Sequence, residues 1–531
     1  MSSAPLTEES SNRSPPGRVL TIAVIAALLW GLYWRTCLFP ERFVHGHLGS
    51  GGSHIATFVR NLYRYGPLTT KLGSVEDQGK TAPEDFHYAH NHPPLKNLFY
   101  APGWAVAPGR EWTFRATALV FALVAWITLF VLARESLGQR AALALVGLGA
   151  ILPMGSYYDG QVDTQGPDIL ALSVLMLFVY VRWLARPRVS LWAILLTLLL
   201  LGSASEWPIY YMAAAIALDL LLFREGRHPV RAAVSLACLA VAAFTLYVAY
   251  VATLQGSSNL LDGLARLLHG ASGRSTLSLP EAIQRAGPNG PRLFLQYLNL
   301  TTKSVLALFS ITALALTLLA AGELVVKAAH RRLALADRIF LMLFVFGSLH
   351  VVLFAGGAVV HDYWWKYLLP AVAWGSARSL LYTVPRLIDL LARNKSERCR
   401  TTLRTAFTIA LLASIIIPSA RHTVAIFQVA DWSPYERGTV VAQETGFDDV
   451  ILGPDPRADP VLLFYMDRLF VPRVRKPKEL ADALATHGSR AALFIVHRGE
   501  LENPGLAPLL SWLDKSYPYF ERSGHRFYRL R

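Results

Sequence analysis

Apolar runs of near-membrane length recur from Val19 to Ala420, and polar stretches of unequal length separate them. A helix needs about 20 apolar residues to cross the hydrocarbon core of a bilayer. On that template the chain predicts eleven spans, near 19–39, 114–133, 141–158, 168–185, 189–205, 207–223, 232–254, 304–326, 339–360, 366–384 and 404–420. The fifth and sixth divide at Glu206-Trp207-Pro208, because a proline has no N–H to continue a helix through that point. Three polar pieces are too long to be simple turns: 40–113, 255–303 and 421–531. The second carries an amphipathic stretch, Leu260–Leu268. The third changes character altogether. Val450–Gly453 and Ala491–Val496 read as short buried strands, and Lys478–His487 and Leu506–Asp514 as helices, so the tail predicts a small α/β domain. The expected architecture is a polytopic α-helical membrane protein with a polar tail at 1–18, a membrane domain at 19–420 and an α/β domain at 421–531.

Composition agrees with that reading. Of the 531 residues, 53% are hydrophobic and only 16% charged, where an average soluble chain has about 25%. The first eighteen residues are polar and rich in Ser and Pro, and the run after them is longer than a signal-peptide core. It reads as an uncleaved first span. Thirteen Trp and twenty-one Tyr suit anchoring at the headgroup level.

The net charge of +15 changes the picture in one respect, which is orientation. Arg134 and Arg140 share one short loop, and Arg186 and Arg188 another. Arg224, Arg227 and Arg231 lie in a third, Lys327, Arg331, Arg332 and Arg338 in a fourth, and Arg386 to Arg404 in a fifth. These are alternate loops, so they share a side, and the positive-inside rule makes it the cytoplasm. The basic balance then needs no nucleic-acid partner; membrane lipid headgroups are the expected counter-charge. The N-terminus is expected inside, and the three large pieces and the C-terminus outside. Cys37, Cys238 and Cys399 have no metal-ligand or disulfide spacing.

Candidate chemistry collects on the outer side. Loop 40–113 holds His87, His90 and His92, preceded by Glu84 and Asp85 and followed by Pro93-Pro94, which stiffen the segment. The spacing is compatible with a divalent metal, with a proton acceptor, or with a polar wall for a ligand. Asp159, Asp163 and Asp168 cluster where the third span meets the fourth, Glu206 marks the next outer turn, and His361 and Asp362 precede the tenth span. Carboxylates at membrane depth are costly and usually paired or functional. Asp163, Glu206 and Asp362 are the functional candidates, and Asp159 reads as interfacial and solvated. Lys366 follows Trp364-Trp365, where it can meet a lipid phosphate or snorkel to the headgroups. His350 reads as a core histidine, and Asn299-Leu-Thr301 matches a glycan-acceptor tripeptide.

Several segments, in order and on one side, resemble the GT-C superfamily of membrane glycosyltransferases, which use polyprenyl-phosphate sugars. The aminoarabinose transferases and protein O-mannosyltransferases belong to it. Val59-Arg-Asn-Leu-Tyr-Arg-Tyr-Gly66 is similar to the "ARNLxxxG" helix, His92-Pro-Pro-Leu95 to "PPL", and Glu111–Arg115 to "EWAxR". Ser205-Glu-Trp-Pro-Ile-Tyr210 resembles an acidic-Trp-Pro turn, and His361–Pro370 a late "HxYYxxPxxP" span start.

The resemblance implies an outward cavity in which a sugar moves from its lipid phosphate to an envelope glycan, lipid or protein acceptor. No cofactor is required by it, a divalent metal is compatible, and a bacterial inner membrane is the expected location. It also implies site residues: Asp163 as proton acceptor with Asp85 as the other candidate, and His90, His92, Glu206, His361, Asp362, Lys366 and Arg60 around the substrate. The acidic position expected eight or nine residues before the "ARNL" arginine is occupied here by Gly51-Gly52. That departure leaves open a lipid-linked-sugar binding or assembly factor without catalysis.

Overall fold

The computed structural model describes residues 18–38, 42–44, 46–163, 166–225, 228–257, 259–272, 290–330, 332–354, 357–358, 361–455 and 459–531. The N-terminal tail through 17, Arg227, Arg331, the middle of loop 255–303 and the end of the expected ninth span fall outside those residues.

All eleven expected spans are helical where described. α1 is Arg18–Leu38. Two helices of the first outer loop follow, α2 at Gly46–Tyr65 and α3 at Leu95–Val106, and then α4 at Glu111–Ser136. The third span is two helices, α5 at Gln139–Ile151 and α6 at Pro153–Tyr158. Leu152 is extended between them, because the residue before a proline is pushed out of the helical region. α7 to α10 are Pro167–Ala185, Val189–Ser203, Ile209–Phe223 and Pro229–Leu254. α11 at Leu260–Ser272 is the expected amphipathic stretch, and α12 at Gly290–Phe309 carries Asn299 and Thr301. Ser310, at φ 61°, separates α12 from α13 at Ile311–Ala329, so the eighth span starts later than its apolar run. α14 is Leu335–Leu353. The tenth span opens with a 3-10 turn, Asp362–Leu368, and runs through α15 (Leu369–Arg378) and a short π-helical stretch into α16 (Val384–Leu391). α17, Glu397–Phe427, completes the set.

Six of these helices are long and apolar enough to cross a bilayer on their own. Their apolar residues face two ways. Leu129, Leu177 and Phe340 pack into one continuous core, while Leu123, Val241, Leu246 and Leu318 are left bare on the outside. A helix apolar on every face is what a lipid surround allows.

The tail forms a five-stranded sheet in the order β2-β1-β3-β5-β4. β1 (Val450–Leu452), β2 (Leu469–Val471) and β3 (Ala491–Val496) run parallel. β4 (Tyr519–Arg522) and β5 (His525–Arg529) form an antiparallel hairpin added to β3. Ser523 and Gly524 both have positive φ, the backbone that a two-residue hairpin turn needs. Helices α18 (Ser433–Glu444), α19 (Pro460–Met466), α20 (Pro477–His487) and α21 (Ala507–Ser516) complete the domain.

This domain is fastened to the first outer loop. Buried apolar residues of α2 recur at helical spacing, Ile55, Phe58, Val59 and Leu62, and the first three join a cluster with Phe43, Phe114 and Phe464. Arg60 donates from Nη1 to the Phe464 carbonyl at 3.0 Å, and its Nη2 lies 3.1 Å from Asp467, which Arg64 also contacts. Tyr465 bonds to Glu111, and its hydroxyl accepts from the Phe43 N–H at 3.0 Å.

Candidate functional site

The segment 90–98 is pinned against the outer ends of three helices. Trp207 Nε1 donates to the Asn91 carbonyl at 2.7 Å, and the Tyr247 hydroxyl to the His90 carbonyl at 2.8 Å. The Leu95 N–H donates to the Ala204 carbonyl at 3.0 Å. Pro94 then caps α3, and one turn of helix sorts the side chains that follow. Lys96, Asn97 and Tyr100 turn into the protein and are buried, while Leu98 is exposed on the other face.

The result is a divider. On one side lies a polar cleft of ≈ 1290 Å³, counting its open mouth, to which His92, Lys96 and Asn97 contribute with Gly51, His54, Glu76, His361 and Asp459. On the other lies an apolar groove of ≈ 840 Å³, to which Pro94, Leu95 and Leu98 contribute with Leu72, Leu200, Leu246, Tyr247 and Tyr250. Six residues of the stretch His92–Leu98 are therefore divided between the two, three to each.

Two buried carboxylates stand by the cleft, each paired with cations. Glu206, fully buried in the turn between α8 and α9, meets His92 Nδ1 at 2.8 Å and the ammonium of Lys96. Burial alone pushes the Glu206 carboxyl up, but His92 and Lys96 overcome this and hold it at about 2. Lys366 Nζ lies 2.6 Å from Asp163, with both side chains at most 1% exposed. Asp168 sits within electrostatic reach of Lys96, Asp163, Glu206 and Lys366. Neither of its oxygens has a hydrogen-bond partner among the described residues.

The expected site residues thus separate into two groups. His92 and His361 line the cleft, and Glu206 is bonded to two of its lining residues. Asp163 and Lys366 find each other beneath it rather than in it. Lys366 is fully buried and does not snorkel. Asp362 lies beside Tyr157 and Tyr158, and the ring of His90 bonds to the Tyr88 carbonyl at 2.9 Å. Asp85 is exposed in a short turn, Pro83–Asp85, outside the cleft lining. Arg60 faces the C-terminal domain, as described above. Desolvation there lowers its guanidinium to about 10.

Asp159 departs from its expected solvated state. It is fully buried, 3.0 Å from Arg35 and 2.7 Å from Trp126 Nε1, because the turn after α6 folds back under α1 and α4. The three loop imidazoles diverge. His87 pairs with Asp77 at 2.8 Å, His90 with backbone and His92 with Glu206. Among the described residues no group of three or more His, Cys, Asp or Glu is placed to hold a metal ion. His350 is a core histidine packed against Tyr211, Phe354, Trp364 and Tyr367.

Sequence reasoning missed Lys96, Glu76 and Asp459, and placed Asp168 in the acidic cluster without giving it a role. Lys96 carried a usable signal, since it opens the helix after Pro93-Pro94, four residues from a singled-out histidine. Asp459-Pro460 marks a helix start, but nothing in the chain tells that it reaches a cleft 400 residues upstream.

The family described as dolichyl-phosphate-mannose-protein mannosyltransferase matches residues 91–252, under a third of the chain but including the divider and Glu206. No curated protein sequence matches. Among solved structures, ArnT from Cupriavidus metallidurans in the apo state is similar with a TM-score of 0.53 at 13% identity, covering 96% of this chain and 97% of its own. ArnT bound to undecaprenyl phosphate gives 0.56 at 13% identity over the same shares. AglB from Archaeoglobus fulgidus, an archaeal oligosaccharyltransferase in complex with an inhibitory peptide and a dolichol-phosphate, gives 0.57 at 12% identity, covering 97% of this chain and 74% of its own.

Proposed function

From the GT-C fold that these structures share with the chain, we propose that this integral membrane protein transfers a sugar from a polyprenyl-phosphate carrier to a cell-envelope acceptor at the outer face of the membrane. The observation that carries the reading is the divider at His92–Leu98. An amphiphile with a long apolar tail and an anionic head needs a greasy channel and a cationic chamber that meet. Here Leu95 and Leu98 front the one, and His92 and Lys96 the other. Lys96 and His92 are the donors for the carrier phosphate, and Glu206 holds both in place. The phosphate is a competent leaving group once its charge is met, so the remaining requirement is to orient an acceptor hydroxyl and take its proton.

The donor sugar is a hexose or a pentose; the family resemblance favours a bacterial inner membrane, and the basic loops favour the C-terminal domain outside. One observation favours a binder without turnover. Gly51 lines the cleft on α2, at the place where the family resemblance predicts an acid. Mass spectrometry of the lipid retained through purification separates the readings. A polyprenyl-phosphate sugar, lost on incubation with envelope lipids and replaced by the bare carrier phosphate, is the expected result. Retention of an ordinary phospholipid alone would sink both.

A further inference from the structure

We propose that Asp459, a residue of the C-terminal domain, is the proton acceptor of the cleft. The inference rests on the transferase reading above and supplies the base that α2 lacks. Five residues lining the cleft can accept a proton: His54, Glu76, His92, His361 and Asp459. His92 is committed to Glu206. The ring of His54 stacks on Phe58 at 6.0 Å, and that of His361 lies 4.9 Å from Trp364. Glu76 is exposed in a loop, where water competes for it.

Asp459 differs in three respects. It is half-buried, so its carboxyl is pushed above the usual carboxylate range by desolvation, against backbone N–H groups of Val461 and Leu462 and the nearby Arg437, which favour the charge, while Asp431 opposes it. A proton acceptor works best as its pKa approaches the working pH. It is also fixed, since Oδ1 accepts from the Val461 N–H at 2.7 Å as the cap of α19. And α19 is the helix that docks on α2, through Arg60 to the Phe464 carbonyl and to Asp467. The loop that builds the cleft therefore sets the position of this carboxylate.

The step balances as a displacement. The acceptor oxygen bonds to the anomeric carbon of the sugar as its proton passes to the Asp459 carboxylate. The bond from that carbon to the carrier oxygen breaks, and its electron pair stays on the polyprenyl phosphate, whose added charge Lys96 meets. Asp459 then returns the proton to water.

The test uses the full chain in lipid nanodiscs with undecaprenyl-phosphate mannose, glucose and aminoarabinose as probes, and reads release of undecaprenyl phosphate alongside its binding. Asp459→Asn keeps a competent helix cap, so the domain should stay docked. Its expected kcat falls at least about 100-fold, the low end of what a positioned base contributes, with undecaprenyl phosphate affinity within about twofold and the acid limb of the pH–rate profile gone. Asp459→Glu should recover part of the rate. In Asp459→Asn, a new carboxylate from Gly51→Asp, at another position lining the cleft, should recover part as well. A rate for Asp459→Asn within about threefold of the parent, with the parent active, overturns the assignment and leaves the transferase reading standing. A parent that binds undecaprenyl phosphate but releases none from any probe overturns both.

Discussion

The two ends of the helical bundle both hold buried charge, and they hold it differently. At the end bearing the basic loops, Arg338 grips Asp219 through Nε at 2.9 Å and also meets Glu225, while the Tyr180 hydroxyl donates to Asp219 at 2.6 Å. Arg378 joins Glu323 at 3.0 Å and Asp337, and Lys327 meets Glu323 at 3.2 Å. At the other end Arg35 holds Asp159 in the same way, but the cations around the cleft are Lys96, Lys366 and His92, and two of them line it. Arginine offers a rigid fork that matches a carboxylate and keeps it. Lysine is a point charge on a flexible stem that can exchange one anion for another. The arginine clusters at the basic-loop end therefore read as staples between helices and, on the proposed function, the cations at the cleft as a charged layer able to take an incoming phosphate.

The sharpest way to break that contrast is to cut one cation from each end. Arg338→Ala leaves Asp219 buried without its counter-charge, which costs about 3–5 kcal/mol in comparable pairs. Thermal unfolding in detergent should show a large fall in Tm, while the molecules that remain folded bind undecaprenyl phosphate as the parent does. Lys96→Ala should do the reverse in emphasis. A charge-assisted hydrogen bond is worth about 1.5–3 kcal/mol, so carrier affinity should weaken about 10- to 100-fold, measured by titration in nanodiscs. If Lys96→Ala lowers Tm as far as Arg338→Ala and leaves affinity untouched, the outer cluster is another staple and the distinction falls.

The same two ends differ in how far the sequence disclosed them. The eleven spans were legible because a bilayer admits only helices with internally satisfied backbone, so an apolar run of membrane length has one reading. Leu152-Pro153 even marks the break in the third span. The polar candidates were legible as a set, since Asp163, Glu206 and Lys366 interrupt or abut apolar runs and His92 stands in a cluster of histidines before Pro93-Pro94. Their partners were not. Asp163 and Lys366 are 203 positions apart, and no local pattern joins them. Lys96 and Asp459 were missed for the opposite reason. Each lies outside the apolar runs, and although Lys96 had a local signal in its place four residues after His92, only tertiary packing brings either to the cleft. Arg60 shows the reverse error. Its motif-like helix pointed to substrate, but the docked domain covers that face and takes the arginine for itself.

Acid offers the finest test of the outer end, with the smallest expected effect. Glu206 is held at about 2 in the folded chain by His92 and Lys96, against about 4.3 for a free glutamate. A carboxyl depressed in the folded state lends stability that is complete above its unfolded value and disappears as pH falls through its folded value. The parent should therefore lose Tm between about pH 4.3 and pH 2 through this group, by a few degrees, and lose none through it between pH 8 and pH 5. Glu206→Gln should be less stable than the parent at neutral pH, because two cations lose their anion. It should also show a shallower fall below pH 4.3, so that the two curves converge in acid. Parallel curves across that window would mean that Glu206 is not held by the two cations in solution. The outer layer would then lack the fixed anion that keeps Lys96 and His92 poised at the cleft.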